Sequence, residues 1–369
     1  MSRIITFLGK AGTGHTTFAI ATAKWFAQQG SRVLLVTHNP SPSAELLLGM
    51  PLTSQAQIIE PKLEAVQLQT TVLLEQSWEA LKQFVSPYLP VSLPQDIYPG
   101  EIIILPGFDS ILAFNALCQY YLHGEYDVIV YDGRGDLETL RLLGVPDVLD
   151  WYFRRFRRLF QSLDIAKVAE SIAGPLASAL VTANLDTRKM DQEMNRVRGW
   201  IHEGVAVVND PKRFTAYLVT IDEPGAIAEA RWLWGSAQQV NLRASGVLVC
   251  QPIQQSEALK QAFAPLELYP MPTLQNQDWE PLLAALPDFN IIPNAPEPVS
   301  IDLAQRQIRV FLPGFTKKQV KLTQFGSELT IEAGDQRRNI LLPPELRELS
   351  IQSGRFEAPY LIVDLSAGV

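Results

Sequence analysis

Near the N-terminus, Gly9-Lys10-Ala11-Gly12-Thr13-Gly14-His15-Thr16 groups residue types suited to holding phosphate. The spacing is that of G-x-x-x-x-G-K-[ST] with one change: His15 stands where the pattern has lysine. The chemistry of such a turn is mostly main-chain. Glycines let consecutive N–H groups turn inward on phosphate oxygens, and the helix that follows adds its positive N-terminus. Thr16 is placed to offer a hydroxyl to Mg²⁺, and Thr17 supplies the next amide. The candidate nucleotide-binding set is therefore Gly9, Lys10, Ala11, Gly12, Thr13, Gly14, His15, Thr16 and Thr17. An imidazole with a free pKa of about 6.5 carries little charge at neutral pH and reaches less far than an ammonium. Phosphates beside it would favour the imidazolium, so affinity is expected to rise as pH falls. The plain alternative is a tight strand–helix turn with no ligand. Gly9, Gly12 and Gly14 do not fit G-x-G-x-x-G, which argues against a dehydrogenase.

The elements around the turn decide how it is held. Ile4–Gly9 is an apolar, β-branched run that reads as a buried parallel strand. From His15 to Gln29 apolar residues recur at helical spacing (Phe18, Ala21, Ala23, Trp25, Phe26), and Gly30 ends the run. Ser31–Thr37 is a second buried strand, which makes a βαβ unit with the turn at its first junction. Further strands are expected at Glu101–Leu105, Asp127–Asp132, Thr215–Ile221, Ala244–Cys250 and Phe289–Ile292, with helices near 72–88, 110–122, 136–144 and 224–240. That alternation predicts an α/β fold with a doubly wound, mostly parallel sheet. Residues 148–206 lack strand candidates and read as a helical insertion. A proline-rich stretch, 293–298, is the expected linker between an α/β domain at 1–292 and a small all-β sandwich at 299–369. Its expected strands are Ile308–Leu312, Val320–Gln324, Glu328–Ile331, Asn339–Leu342 and Leu361–Leu365.

Lys10, one residue after the first glycine, matches the deviant phosphate loop K-G-G-x-G-K-[ST], and the chain resembles the arsenite-pump and tail-anchored-protein-targeting (ArsA-type) ATPase family. Val36-Thr37-His38-Asn39-Pro40-Ser41 resembles that family's first switch. Asp132 resembles its second-switch aspartate, and Thr139-Leu140-Arg141-Leu142-Leu143 with Pro146 resembles the segment after it. Residues 215–250, with Glu223-Pro224, resemble the later strand–helix–strand, so the likeness covers about 1–292. It implies a P-loop NTPase sheet, a homodimer with ATP at its interface, Lys10 reaching the partner's phosphates, and Mg²⁺ held by Thr16 and Asp132. By the same likeness Lys10, Asn39 and Asp132 are the catalytic candidates, and Cys250 stands near where the family sets an asparagine against adenine. The chain also departs from the pattern. Asn39 replaces an aspartate, and an amide cannot take a proton from water. His15 replaces the bridging lysine, and Gly133-Arg134-Gly135-Asp136 replaces T-A-P-T, with Arg134 either aimed at phosphate or solvated. At the C-terminus Val310-Phe311-Leu312-Pro313-Gly314-Phe315, Leu329-Thr330-Ile331 and Leu342-Pro343 resemble the α-crystallin (small heat-shock) domain over about 299–366. That implies a binding or oligomer-shaping module; a packing appendage is the alternative.

Composition bounds the function classes. The chain has 369 residues, 47% of them apolar, and a net charge of −8, which speaks against nucleic-acid binding. Cys118 and Cys250 are far apart, with no Cys-x-x-Cys pair, so neither zinc nor a redox motif is expected. A short apolar run after Arg3 does not make a secretory signal, and a reducing, cytoplasmic setting is expected. Trp151, Tyr152, Phe153, Phe156, Leu159, Phe160, Leu163, Ile165 and Val168 form an apolar stripe interleaved with Arg154, Arg155, Arg157 and Arg158. It reads either as a surface for a hydrophobic or membrane-protein client or as packing. The expected function is a dimeric ATP-binding protein that handles such clients with weak or absent hydrolysis, chaperone-like in role. A scaffold that has lost ATP is the rival, and an anion-transport ATPase subunit comes third.

Overall fold

The computed structural model describes residues 2–85, 108–162, 199, 201–250, 256–291 and 295–367. Eight strands make one sheet: β1 (Arg3–Gly9), β2 (Val33–Thr37), β3 (Gln57–Glu60), β4 (Leu63–Gln67), β5 (Val128–Asp132), β6 (Phe214–Ile221), β7 (Ala244–Cys250) and β8 (Leu268–Met271). Their order is β3-β4-β2-β5-β1-β6-β7-β8, and every pairing is parallel except β3 with β4. From β1 the chain moves outward to β2, returns through β5, and crosses to β6 on the other side. The C-terminal ends of β1 and its two neighbours therefore border the crevice where such sheets bind ligands.

Alternate residues of β1 explain why helices cover both faces. Ile5 and Phe7 join a core with Phe18, Ile20 and Phe26 of the helix His15–Gln28, while Ile4 and Leu8 point the opposite way and are equally buried. On that second face the helix Pro224–Gln239 packs against β1 and β6. A continuous apolar strand needs both covers.

Two expectations change. The strand expected at Phe289–Ile292 is absent over its described part: residues 289–291 turn instead. Phe289 is fully buried, with its ring 5.4 Å from Trp25, 5.4 Å from Phe26 and 5.1 Å from Tyr217. Arg3 donates to its carbonyl, and Asp288 accepts from the Asn290 amide (2.9 Å), so core packing and an Asx turn take the place of a ladder. Strands β3, β4 and β8 have no counterpart among the expected strands. Of the run 148–206, the helix Val145–Ser162 and a helical stretch at 201–209 are described, while Leu163, Ile165 and Val168 lie outside the described residues, as does Glu101–Leu105.

Residues 68–116 and 145–206 cluster as a separate compact unit. Within it, Arg154 pairs with Asp150 (2.8 Å), one turn before it, so this arginine belongs to a solvated face. Val148, Leu149 and Tyr152 are 46%, 39% and 50% exposed on the same helix.

The C-terminal strands are β9 (Val299–Asp302), β10 (Gln307–Phe311), β11 (Val320–Phe325), β12 (Glu328–Ala333), β13 (Gln336–Leu341), β14 (Leu349–Glu357) and β15 (Tyr360–Ala367). They form two antiparallel sheets, β14-β15-β10-β9 and β11-β12-β13, around a core that includes Ile308, Val310, Leu329, Ile331, Leu342 and Val363. This β-domain is seated on the helix Pro224–Gln239. A Cβ at Gly235 would lie 2.1 Å from the Pro313 carbonyl oxygen, and one at Gly314 (φ +78°) would lie 2.4 Å from that of Arg231. Two backbones meet there at a distance that only glycine permits. Trp234 meets Phe311 edge-on at 5.1 Å, and Arg338 donates to the Gln238 carbonyl (2.6 Å) and to the Asn241 side chain at the helix's C-terminal end.

Candidate functional site

β1 ends at Gly9, and the turn from Lys10 to Gly14 leads into the helix His15–Gln28. Gly12 (φ +84°) and Gly14 (φ +109°) take left-handed conformations that a side chain would strain. The Lys10 carbonyl accepts from the Thr13 amide (3.2 Å) and from the Thr13 hydroxyl (2.7 Å), which tightens the first half of the turn. No side chain caps the helix at its N-terminus, and the amides of His15, Thr16 and Thr17 meet no acceptor among the described residues. A helix start of this kind is positive and short of acceptors, which is what an anion requires.

Thr16 donates to Asp132 Oδ1 (3.3 Å) at the end of β5. Asp132 is 3% exposed, and burial pushes its carboxyl up to about 7, the Thr16 hydrogen bond offsetting only part of the rise. Thr16 and Asp132, the two expected Mg²⁺ ligands, thus stand in contact. Among the described residues no group of three or more His, Cys, Asp or Glu converges on one point.

His15 departs from expectation. It is 8% exposed, and its ring lies against two glycines: Nε2 is 3.1 Å from where a Cβ of Gly9 would be and 3.0 Å from where one of Gly135 would be. Nε2 is buried without a hydrogen-bond partner. Burial pushes the imidazole down to about 4, against the pull of the Asp136 carboxylate and the Gly9 backbone. The ring is uncharged at neutral pH, and the window in which it would gain charge moves from around 6.5 to around 4. Part of the turn is therefore filled by its own side chain, while the amides at the helix start stay open.

The other candidates sit further out. Lys10, Ala11 and Gly12 are exposed, and Lys10 forms no ion pair among the described residues. Asn39 follows β2, two strands from β1, and its side-chain oxygen accepts from the Ser41 amide (3.1 Å). Cys250 ends β7, two strands away on the other side, where it packs half-buried against the sheet core. Arg134 pairs with Glu138 (2.8 Å), one helical turn on. The motif also missed several residues. Gly135 (φ +69°) accepts from the Gly9 amide through its carbonyl (2.9 Å), joining the loop after β5 to the phosphate turn. Asp136 caps the helix Leu137–Leu143 by accepting from the Thr139 amide (3.1 Å), a role its place three residues before Thr139 signals. His38 Nδ1 meets the Tyr131 hydroxyl (2.9 Å) under the loop after β2.

No helix among the described residues is long and apolar enough to cross a membrane. The family model described as "Anion-transporting ATPase" matches residues 2–264, and the one described as "HSP20-like domain found in ArsA" matches 304–365. A protein of Aquifex aeolicus (strain VF5) named "Putative arsenical pump-driving ATPase 1" is 23% identical over 99% of this chain and 100% of its own length. One of Chlorobaculum tepidum, named "Putative arsenical pump-driving ATPase", is 28% identical over 46% of this chain, and the match spans only 44% of that relative. The "ATPase ASNA1 homolog" of Babesia bovis is 23% identical over 67% of this chain and 65% of its own length.

Proposed function

The chain belongs to the anion-transporting ATPase family, and from that premise we propose that residues 9–17 bind a Mg²⁺-nucleotide, ATP included, and hydrolyse it slowly or not at all. One observation carries the reading: a row of amides that meet no acceptor among the described residues opens beside half-buried Thr16 and the buried Asp132 it contacts. The residues present fit the ligand. The amides of His15, Thr16 and Thr17 would hold phosphate oxygens, and the Thr16 hydroxyl with the Asp132 carboxylate is an all-oxygen donor set suited to Mg²⁺. Bound there, the cation supplies the charge neutralisation on which phosphoryl transfer runs.

The chain's own residues keep turnover low. The Asn39 amide cannot accept a proton from water and already holds its own turn. His15 is neutral and buried, so it brings no cation to charge developing on a phosphate. Isothermal calorimetry with ATP–Mg²⁺ and with ADP, paired with a phosphate-release assay, tests the reading. The expected result is saturable binding with little release. Brisk release by the wild type, abolished in Lys10→Ala, would sink the slow-turnover half. The ring packed into the turn favours one rival, a binding scaffold that has dispensed with nucleotide. Absence of binding at any pH would decide for that rival.

The proposal extends to assembly and clients. On the family resemblance the protein is proposed to be a homodimer with Lys10 directed at the partner's phosphates; the exposed position of Lys10, without an ion pair among the described residues, supports this. Light scattering with and without nucleotide measures the dimer; a monomer under both conditions would overturn it. Val148, Leu149 and Tyr152 supply exposed apolar surface for a hydrophobic or membrane-protein client, in a chaperone-like role. Photo-crosslinking to an apolar helical peptide, lost in Leu149→Asp, is the expected outcome.

A further inference from the structure

We infer that His15 is a specificity-determining residue that makes this site a nucleoside-diphosphate site, with no preference for the triphosphate. The inference rests on the nucleotide-binding reading above and divides the site into two halves. The half that serves the α- and β-phosphates is main-chain: the left-handed glycines Gly12 and Gly14 and the amides of His15, Thr16 and Thr17, which meet no acceptor among the described residues. The half that serves the γ-phosphate normally has two parts, a lysine reaching the β/γ oxygens and switch loops that the γ-phosphate itself orders. Both parts are altered here. The residue in the lysine's place is a short ring, more than nine-tenths buried, whose unpartnered Nε2 is wedged between Gly9 and Gly135. The loop after β5 is fastened to the turn by the chain's own groups: the Gly9 amide donates to the Gly135 carbonyl (2.9 Å) and the His15 ring fills the space beside it. A third phosphate would find neither a side chain in the lysine's place free to reach it nor a loop left to order, so within one protomer it adds little binding free energy.

The test is calorimetry of the full chain with Mg²⁺ and, in separate titrations, ADP and a non-hydrolysable ATP analogue. Expected Kd values agree within about threefold or favour ADP. In His15→Lys the ratio should swing toward the analogue by about tenfold or more. A wild-type preference for the analogue above about threefold, or an unchanged ratio in a folded His15→Lys, overturns the inference while leaving the nucleotide reading intact. Should His15→Lys fail to fold, the wild-type ratio decides alone. Binding of neither ligand removes both readings.

Discussion

Burying the Asp132 carboxylate with only the Thr16 hydroxyl beside it costs the fold stability, and the pH dependence of that cost is testable. Its folded pKa rises from 3.8 to about 7, so between those values the folded chain binds the proton more tightly than the unfolded chain does. Stability of the nucleotide-free protein should therefore fall as pH climbs through that window. Asp132→Asn should be about 1–3 kcal/mol more stable than wild type at pH 8, with the gap narrowing as pH falls and closing only below the unfolded pKa of 3.8, as read by urea denaturation. The variant should also lose any stabilisation by Mg²⁺. An Asn variant weaker than wild type at pH 8 would refute the account. The same scale shows what the chain order leaves visible. The glycine spacing and Thr16 are legible because phosphate turns are local. The burial of His15 is not, because it depends on Gly135, which the fold delivers from far downstream, on the loop after a neighbouring strand.

Elements carry the next prediction. Arg338 of β13 is 7% exposed and gives its protons to the Gln238 carbonyl and the Asn241 side chain, closing the C-terminal end of the helix Pro224–Gln239. A cation is favoured there by the helix dipole as well as by the hydrogen bonds. Arg338→Met keeps the stem and removes the donors, and should cost about 1.5–3 kcal/mol in urea unfolding. An unchanged midpoint would mean that water replaces the guanidinium without loss. Central strands were legible as apolar runs. Of those overlooked, β3, β8 and β14 lie at edges, β8 contains Pro270 and β14 exposes most of its side chains, while β4 is an inner strand of only five residues. β3 and β4 are joined through Lys62 at φ +67°, a turn that residue type does not announce. Edge strands need no alternating apolar pattern, so periodicity passes over them.

At the scale of the molecule, the β-domain and the large sheet's helical cover meet backbone to backbone at Gly235, Pro313 and Gly314. Gly235→Ala inserts a carbon 2.1 Å from the Pro313 oxygen, so one partner must withdraw. A loss of about 1–3 kcal/mol is expected, with a single calorimetric transition splitting into two as the β-domain melts apart. One unsplit transition would show that the contact is dispensable. Two folds in one chain were legible from the change of texture after residue 298; their seating was not, since Gly235 reads in sequence as an ordinary helix interruption.

The position of β1 in the sheet has a consequence for biosynthesis. It is the first strand of the sheet to leave the ribosome, yet both its partners arrive late: β5 begins at Val128 and β6 at Phe214. At about 5–20 residues per second, the nascent chain holds Ile4–Leu8 unpaired on at least one edge for roughly 10–40 s. During that interval this apolar segment is open to aggregation, and synonymous codons that slow translation before residue 214 should lower the soluble yield of an otherwise unaltered polypeptide.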